Sequence, residues 1–580
     1  MPAASDKRTS PQGISRWLPG LASVRHYDRS WLSADILAGV TVCAILIPQG
    51  MAYGELAGLP PVTGLYAAIG AMVLYALVTS TRAVMVGPEA GVAIIVASVI
   101  APLAAGSDPA RAAALAGVLG LLVAGILVVG GLVRVGFIVD FVSKPVLSGY
   151  IIGAAGIIIA SQLGKLFGFS LEQEDFFPKI WELLSNLDQT HRLTFLIGVL
   201  LIITLLLLKR FVPKAPSALI VLVLSTIASA AFNLDDRGVA TLGAIPAGLP
   251  RPGLPDVTAG DIHTLLPAAL GIALIAFTEG VLTARAFAEK RKEPLDANQE
   301  SIAFGFANAG AALFQGFPIG VSQSRTVVDD SAGGKSQLAA IVATALVVIF
   351  LLFFTALLEP LPSVALGAIV VVAALGLIEI QPLRELARVD RTELTLAIVA
   401  LFGVLILGIL QGIMVAVLLS LLVLLAKITR PHDAILVHDD TIDGFREIEE
   451  AEIVQAASGL IVYRFDAPLF FANASTFAER VGELATTDVV PVRRIIIDVE
   501  PIVTIDTTAA DTLLKLHTSL SERGVSLGVA RANESVMDML GRMGVIAAIG
   551  PENFYPNVRA GLQAWVSGRG QLAHATTEGT

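Results

Sequence analysis

Cysteine is all but missing from this sequence: Cys43 is the only one in 580 residues. One thiol cannot close an intrachain disulfide or build a cysteine metal site. Secreted disulfide scaffolds and zinc ribbons are therefore excluded. Charge is also scarce. Asp, Glu, Lys and Arg make up 15% of the chain, against about 25% in soluble domains. That is too little for a disordered polyelectrolyte or a nucleic-acid-binding surface. The seven histidines (His26, His191, His263, His432, His438, His517 and His574) show no metal-ligand spacing. A phosphate loop is absent too. Gly333-Gly334-Lys335-Ser336 looks like the end of one, but Asp329 stands where its first glycine belongs. With no nucleophile–base set either, no metal, no cofactor and no enzyme activity are expected.

What is present is apolar: 55% of the residues are hydrophobic. The net charge of -10 is unevenly placed. Residues 1–431 carry 28 Lys+Arg and 28 Asp+Glu, net 0; residues 432–580 carry 11 and 21, net -10. The long apolar stretches stop near Pro431, so the pattern predicts a membrane body followed by an acidic soluble domain. A membrane span needs roughly 20 mostly apolar residues. About fourteen segments are expected, near 33–53, 62–79, 86–105, 112–131, 145–163, 193–211, 216–233, 264–286, 299–315, 322–332, 337–357, 363–380, 391–409 and 411–427. The leader is not a signal peptide, because no short apolar run with a small-residue cleavage site follows Lys7 and Arg8.

Loop charge supports that count. With the N-terminus in the cytoplasm and alternating spans, 21 basic residues fall inside, from the leader through Lys214 to Arg430. Six fall outside: Arg111, Lys165, Lys179, Arg192, Arg237 and Arg251. The outer loops carry acids instead, among them Glu172, Glu174, Asp175, Asp256 and Asp261. This is the positive-inside bias, and it places both termini in the cytoplasm of an inner (plasma) membrane protein. Segments three and ten, both interrupted by Gly, Pro and polar residues, occupy corresponding places in a seven-plus-seven arrangement. Paired broken segments point to a transporter midplane site.

Four stretches could carry chemistry. In the first span, Gln49 and Tyr53 share a helix face beyond Pro48; they line a site or act as hydrogen-bond glue. In the third, Gly87-Pro88-Glu89-Ala90 reads as a half-helix start after an extended piece (Ala83–Val86). Its free N–H groups and positive dipole end suit an anion. Glu89 there either satisfies those N–H groups or gates the anion by protonation. The tenth, with Ser322, Gln323, Ser324 and Arg325, offers a second half-helix, with Ser322 or Ser324 near the cap. Its hydroxyls, N–H groups and guanidinium suit an oxyanion. The alternative is a structural pair of Arg325 with Glu279 or another acid. In the eighth, Glu279 and Thr283 share a face and are candidates for coupling-ion binding.

The tail from 432 alternates strand-like runs (460–464, 494–498, 525–530) with helical ones (474–484, 509–520), an α/β domain of about 130 residues. Asp506, Thr507 and Thr508 lie at a strand-to-helix turn, where one of them caps the helix.

In this order and topology, several motifs resemble those of the SulP (sulfate permease) anion transporters, relatives of prestin and pendrin. They are Ile47-Pro48-Gln49-Gly50-Met51-Ala52-Tyr53, Leu59-Pro60-Pro61, Gly87-Pro88, Ser322-Gln323-Ser324-Arg325 with Gly333-Gly334-Lys335, and a C-terminal STAS-like domain. The resemblance implies an α-helical membrane protein of fourteen segments in two inverted repeats, divided into core and gate domains, plus a cytoplasmic α/β STAS domain. The division is 1–32 leader, 33–430 transporter, 431–567 STAS and 568–580 disordered tail. It further implies elevator-type transport of a small anion and a homodimer in the lipid bilayer. The substrate would sit on Gln49, Tyr53, Glu89, Ala90, Ser322, Gln323, Ser324 and Arg325. A coupling ion, H+ or Na+, would use Glu89, Glu279 and Thr283. Sodium-coupled bicarbonate members keep Asp where Glu279 stands, which leaves the ion open, while Glu89 favours protons. In STAS anti-sigma-factor antagonists the strand-to-helix loop carries a phosphorylated Ser, which would fall here on Thr507 or Thr508. A cytoplasmic protein partner of this domain is a further expectation, and no nucleic acid is expected.

Sulfate is the default substrate. Bicarbonate or a dicarboxylate such as fumarate needs the same pocket, and an anion channel or a membrane sensor signalling through the STAS domain is the alternative of a different class.

Overall fold

The computed structural model describes residues 18–21, 27–82, 84–104, 109–134, 136, 144–173, 175–212, 216–244, 246, 248–255, 258–439, 444–448, 459–486 and 491–577. Most of the leader, His26, Ala83, Glu174, Lys214 and Asp256 lie outside them. The chain divides into two compact units, 1–420 and 421–580.

The first unit is helical. Each of the fourteen apolar segments contains a helix, and six described helices are long and apolar enough to cross a membrane by length and composition. In chain order they are α1 (Leu32–Leu56), α2 (Val62–Val78), α3 (Ala90–Ala104), α4 (Pro109–Val133) and α5 (Lys144–Phe167). Then come α6 (Phe176–Ser185), α7 (Arg192–Phe211), α8 (Ser217–Phe232), α9 (Ala259–Arg291), α10 (Ala297–Leu313) and α11 (Gln323–Ser331). The last are α12 (Leu338–Phe353), α13 (Ser363–Leu375), α14 (Ile380–Val389), α15 (Arg391–Leu407) and α16 (Ile409–Thr429), which runs past the unit boundary at Ser420. Helices α6 and α14 were not expected. Each is ten residues long, too short to span, and amphipathic: Trp181 and Leu184 of α6 are exposed while Leu183 is buried.

Polar caps fix where the helices begin. Thr258 and Asp261 form a capping box at α9, Thr258 N–H donating to Asp261 Oδ2 at 2.8 Å. Asp296 and Asp390 accept N–H bonds at the starts of α10 and α15. The helices pack as two bundles. One joins α10 to α4 and α2, α12 to α1, and α9 to α4; the other joins α5 to α15 and α13, and α13 to α7. This is the partition expected of core and gate. Lipid gives helices no hydrophobic reason to associate, so close backbone contact carries the packing. Gly70 of α2 and Gly310 of α10 lie so close that a Cβ on either would enter the other's carbonyl group.

One buried carboxylate locks the first bundle. Glu300 of α10 is fully buried and accepts from Tyr75 OH (2.8 Å), Thr79 Oγ1 (3.0 Å), Ser80 N–H (2.9 Å) and Ser80 Oγ (2.7 Å). No cation is needed when donors surround the charge this completely. Glu300→Ala strands those donors and should destabilise the protein by about 3 kcal/mol. A melting temperature of the purified protein within a degree of the wild type would refute this.

Among the described residues the second unit has a six-stranded sheet, ordered β4 (Gly444–Ile448), β3 (Asp433–Asp439), β5 (Leu460–Phe465), β6 (Arg494–Asp498), β7 (Ser526–Ala530), β8 (Phe554–Tyr555). β3 pairs antiparallel with β4 and β5; the remaining pairs are parallel. Its main core joins one sheet face to α17 (Ala474–Ala485), α18 (Thr507–Glu522), α19 (Glu534–Arg542) and α20 (Val545–Ile549). On the other face Leu436, Val462 and Ile496 pack with Val558 of α21 (Val558–Thr577). Strands β5, β6 and β7 and helices α17 and α18 fall within a residue or two of expectation; β3, β4 and β8 were not read. The stretch expected as a disordered tail is helical through Thr577, and 578–580 lie outside the described residues. The unit boundary falls before Pro431 because the end of α16 belongs with the second unit, where Asn473 Nδ2 donates to Ile428 O at 3.3 Å.

Candidate functional site

Both broken segments begin as short strands. β1 (Val86–Gly87) pairs antiparallel with β2 (Gly320–Val321), Val86 opposite Val321 and Gly87 opposite Gly320. Ser322 N–H donates to Met85 O at 2.9 Å and Met85 N–H to Thr326 Oγ1 at 3.0 Å, extending the ladder. The irregular backbone is buried in protein, which is what allows it at membrane depth. Asn308 of α10 clamps the approach to β2: Ile319 N–H donates to its Oδ1 (2.9 Å) and its Nδ2 to Ile319 O (3.3 Å). Gln337 Nε2 holds Val84 O at 2.9 Å on the other side.

From these strands α3 and α11 depart with their N-termini beside the pairing. Ser322 is the N-cap of α11 and accepts from Arg325 N–H at 3.4 Å; Ser324 Oγ lies 3.3 Å from Ser322 Oγ. Arg325 is fully buried. Its Nη2 donates to Pro88 O at 2.9 Å, so the side chain reaches from α11 to the mouth of α3. Gly87 makes room: its φ is +144°, and a Cβ there would lie 3.1 Å from Nη2. Arg325 Nε and Nη1 are buried without a hydrogen-bond partner. The expected alternative, an ion pair of Arg325 with Glu279, is not formed, because the one bonded guanidinium nitrogen is held by a carbonyl instead. Two helix N-termini and a guanidinium with idle donors make a place where negative charge is stabilised and water is scarce.

The remaining predicted residues surround this point. Glu89 is half-buried and its Oε2 accepts from Val92 N–H at 3.1 Å, so it caps α3. Ala90 and Tyr53 are buried, and the charges of Glu89 and Arg325 both act on Tyr53. Gln49 keeps a buried, unpartnered Oε1. Gln323 and Ser324 are exposed at the first turn of α11. Glu279 is half-buried and feels the charge of Glu89, while Thr283 keeps a buried hydroxyl without a partner. Thr507 and Thr508 belong to the second unit, exposed in the first turn of α18 behind the Asp506 cap.

Sequence reasoning missed Tyr150 of α5. It is buried, its hydroxyl has no partner, and the charges of Glu279 and Glu89 act on it. A lone Tyr in an apolar span was the available signal. Asn308 and Gln337 were missed because their role is to hold backbone. A cavity of about 410 Å³ lies elsewhere, lined by Lys165, Thr194 and Ser363 among others and by none of the predicted site residues. Its Lys165 is occupied by Glu55 at 2.8 Å, so the idle guanidinium, not cavity size, marks the site.

Residues 32–400 match the family model described as the sulfate permease family, and residues 452–561 match the STAS domain. The chain belongs to the sulfate permease family. Like other members it is a multi-pass membrane protein of the anion-transporter type. It is 42% identical over 549 residues to a probable sulfate transporter of Mycobacterium tuberculosis, covering 95% of this chain and 98% of that one. It is 32% identical over 498 residues to human solute carrier family 26 member 6, covering 82% and 65%. The fold is similar to that of the murine solute carrier 26 family member A9 anion transporter, with a TM-score of 0.87 at 23% identity and 96% of each chain covered.

Proposed function

We propose that this protein is a secondary active transporter of small oxyanions, sulfate first among them, coupled to protons. The observation that carries this reading is Arg325, buried at two half-helix N-termini with Nε and Nη1 idle. An oxyanion supplies the acceptors those donors lack and is stabilised by both helix dipoles. The curated relative from Mycobacterium tuberculosis named as a probable sulfate transporter supports sulfate over other oxyanions. The bundle holding α1, α3, α9 and α11 would carry the anion past the bundle holding α5 and α13 in an elevator movement. The protein would work as a homodimer in the inner membrane with both termini in the cytoplasm. Thr507 or Thr508 would accept a regulatory phosphate at the N-terminus of α18, where the dipole favours it.

Coupling follows from charge. An ionised Glu89 beside the guanidinium repels an incoming anion; a protonated one does not. Uptake should therefore rise as pH falls. Glu89→Gln and Glu279→Gln mimic the protonated acids and should flatten that rise. Initial uptake rates over a pH series check this, and wild-type pH profiles in both variants would exclude proton coupling through these acids. The substrate is tested by uptake of labelled sulfate, bicarbonate and fumarate into proteoliposomes under imposed proton or sodium gradients. Preference for either of the others over sulfate would replace the assignment.

A further inference from the structure

The Gly333-Gly334-Lys335-Ser336 stretch is no phosphate loop, yet it is tightly built. Asp35 of α1, fully buried, accepts from Lys335 N–H (2.6 Å), Ser336 N–H (3.2 Å), Ser336 Oγ (2.6 Å) and Tyr27 OH (3.0 Å). Asp330 takes Lys290 Nζ at 2.5 Å and Arg291 Nη2 at 2.9 Å, and the same Nη2 donates to Gly334 O at 3.0 Å. Both acids are satisfied. Their neighbour Asp329 is not. It is fully buried, and neither carboxylate oxygen has a hydrogen-bond partner. Gly334 lies directly against it, since a Cβ there would collide with the carboxylate.

An ionised carboxylate with no donors, out of water, costs several kcal/mol. Here the cost is raised further. Asp35 on α1 and Asp330 on the same helix add negative charge, and Asp329 sits in the last turn of α11, at the negative end of its dipole. Among the described residues Arg291 of α9 is the one cation acting on it, and that guanidinium is already shared by Asp330 and Gly334 O; Lys290 is taken by Asp330. The described residues hold no group of three or more His, Cys, Asp or Glu that could bind a metal ion. A proton is the ligand that resolves this site without further partners.

We propose that Asp329 is a proton-binding site separate from Glu89 and Glu279. A proton rests on one of its carboxylate oxygens while Gly334 covers it, and passes to water when the Gly333–Ser336 loop moves off. Asp329 lies one turn from Arg325 on the same face of α11. Loss of the proton adds a negative charge to the short helix that holds the anion and weakens its grip. That coupling step rests on the oxyanion reading; the proton site itself does not.

The test uses the full-length protein in lipid. Infrared absorption at about pH 6, above the ordinary carboxylate range, should show protonated-carboxyl absorption from which Asp329→Asn removes a component that Glu89→Gln and Glu279→Gln leave in place. Retention of the whole band in Asp329→Asn overturns the proposal. So does a wild type with no such band, a result that needs no variant to fold. Asp329→Ser serves as a second neutral variant. In proteoliposomes Asp329→Asn should still bind labelled sulfate but lose about tenfold of its stimulation by an inward proton gradient; full stimulation overturns the coupling. A wild type that takes up no oxyanion would remove the transport reading while leaving the infrared result standing.

Discussion

Arg325→Ala is expected to lower sulfate uptake by at least about 30-fold while leaving a folded protein. The side chain spends one nitrogen on Pro88 O and keeps Nε and Nη1 without partners, so its loss removes little internal bonding. It does remove the fixed cation that the anion would meet. Truncating one partner of a buried, hydrogen-bonded charge pair costs about 2–5 kcal/mol, and each 1.4 kcal/mol is about tenfold in affinity. Arg325→Lys should recover only part of the activity, because a point charge cannot reproduce the planar fork that reaches Pro88 O and an anion together. Labelled-sulfate uptake, with size-exclusion chromatography as the folding control, separates the outcomes. Wild-type uptake by the alanine variant would remove the central argument for the site.

Gly70→Val is expected to prevent assembly of the first bundle rather than weaken it. Gly70 and Gly310 bring α2 and α10 into backbone contact, and a Cβ on either would overlap the other's carbonyl group. The helices would have to separate, and Glu300, one helical stretch away on α10, would lose its grip on Tyr75, Thr79 and Ser80. Because packing contact is what holds apolar helices together in lipid, no solvent-driven term compensates. The expected result is loss of monodisperse protein after extraction, with Gly70→Ala retaining some. A Gly70→Val protein with wild-type yield and melting temperature would show that the crossing is less tight than described.

Much of this was legible in the residues. Every apolar run of span length became a helix because each must satisfy its backbone internally, and that requirement leaves a mark in composition alone. The two half-helices were readable from Gly87-Pro88 and Gly316 to Ser322, since residues that interrupt an apolar run there mark a broken span. The strands and helices of the second unit from 460 to 530 were readable from alternation and a cap. By contrast, β3 carries His438 and Asp439 and the edge strand β4 carries Arg446 and Glu447, and polar side chains within so short a run hide a strand. Short amphipathic α6 and α14 left no span-length signal.

The opening scarcity of charge takes on a different meaning with the structure in hand. The sequence alone determined that this is a membrane protein with an acidic α/β domain, and it singled out several rare polar residues in its spans, Arg325 among them though not Glu300, because hydropathy and charge are local properties. It could not say what each of those residues does. Glu300 and Arg325 are both buried charges in apolar surroundings, yet Glu300 is saturated by donors and Arg325 has donors to spare. Asp35 and Asp329 differ in the same way on either side of one glycine loop. Which buried charge is structural and which awaits a partner depends on hydrogen bonds to residues up to 301 positions away, and only the tertiary fold brings those together.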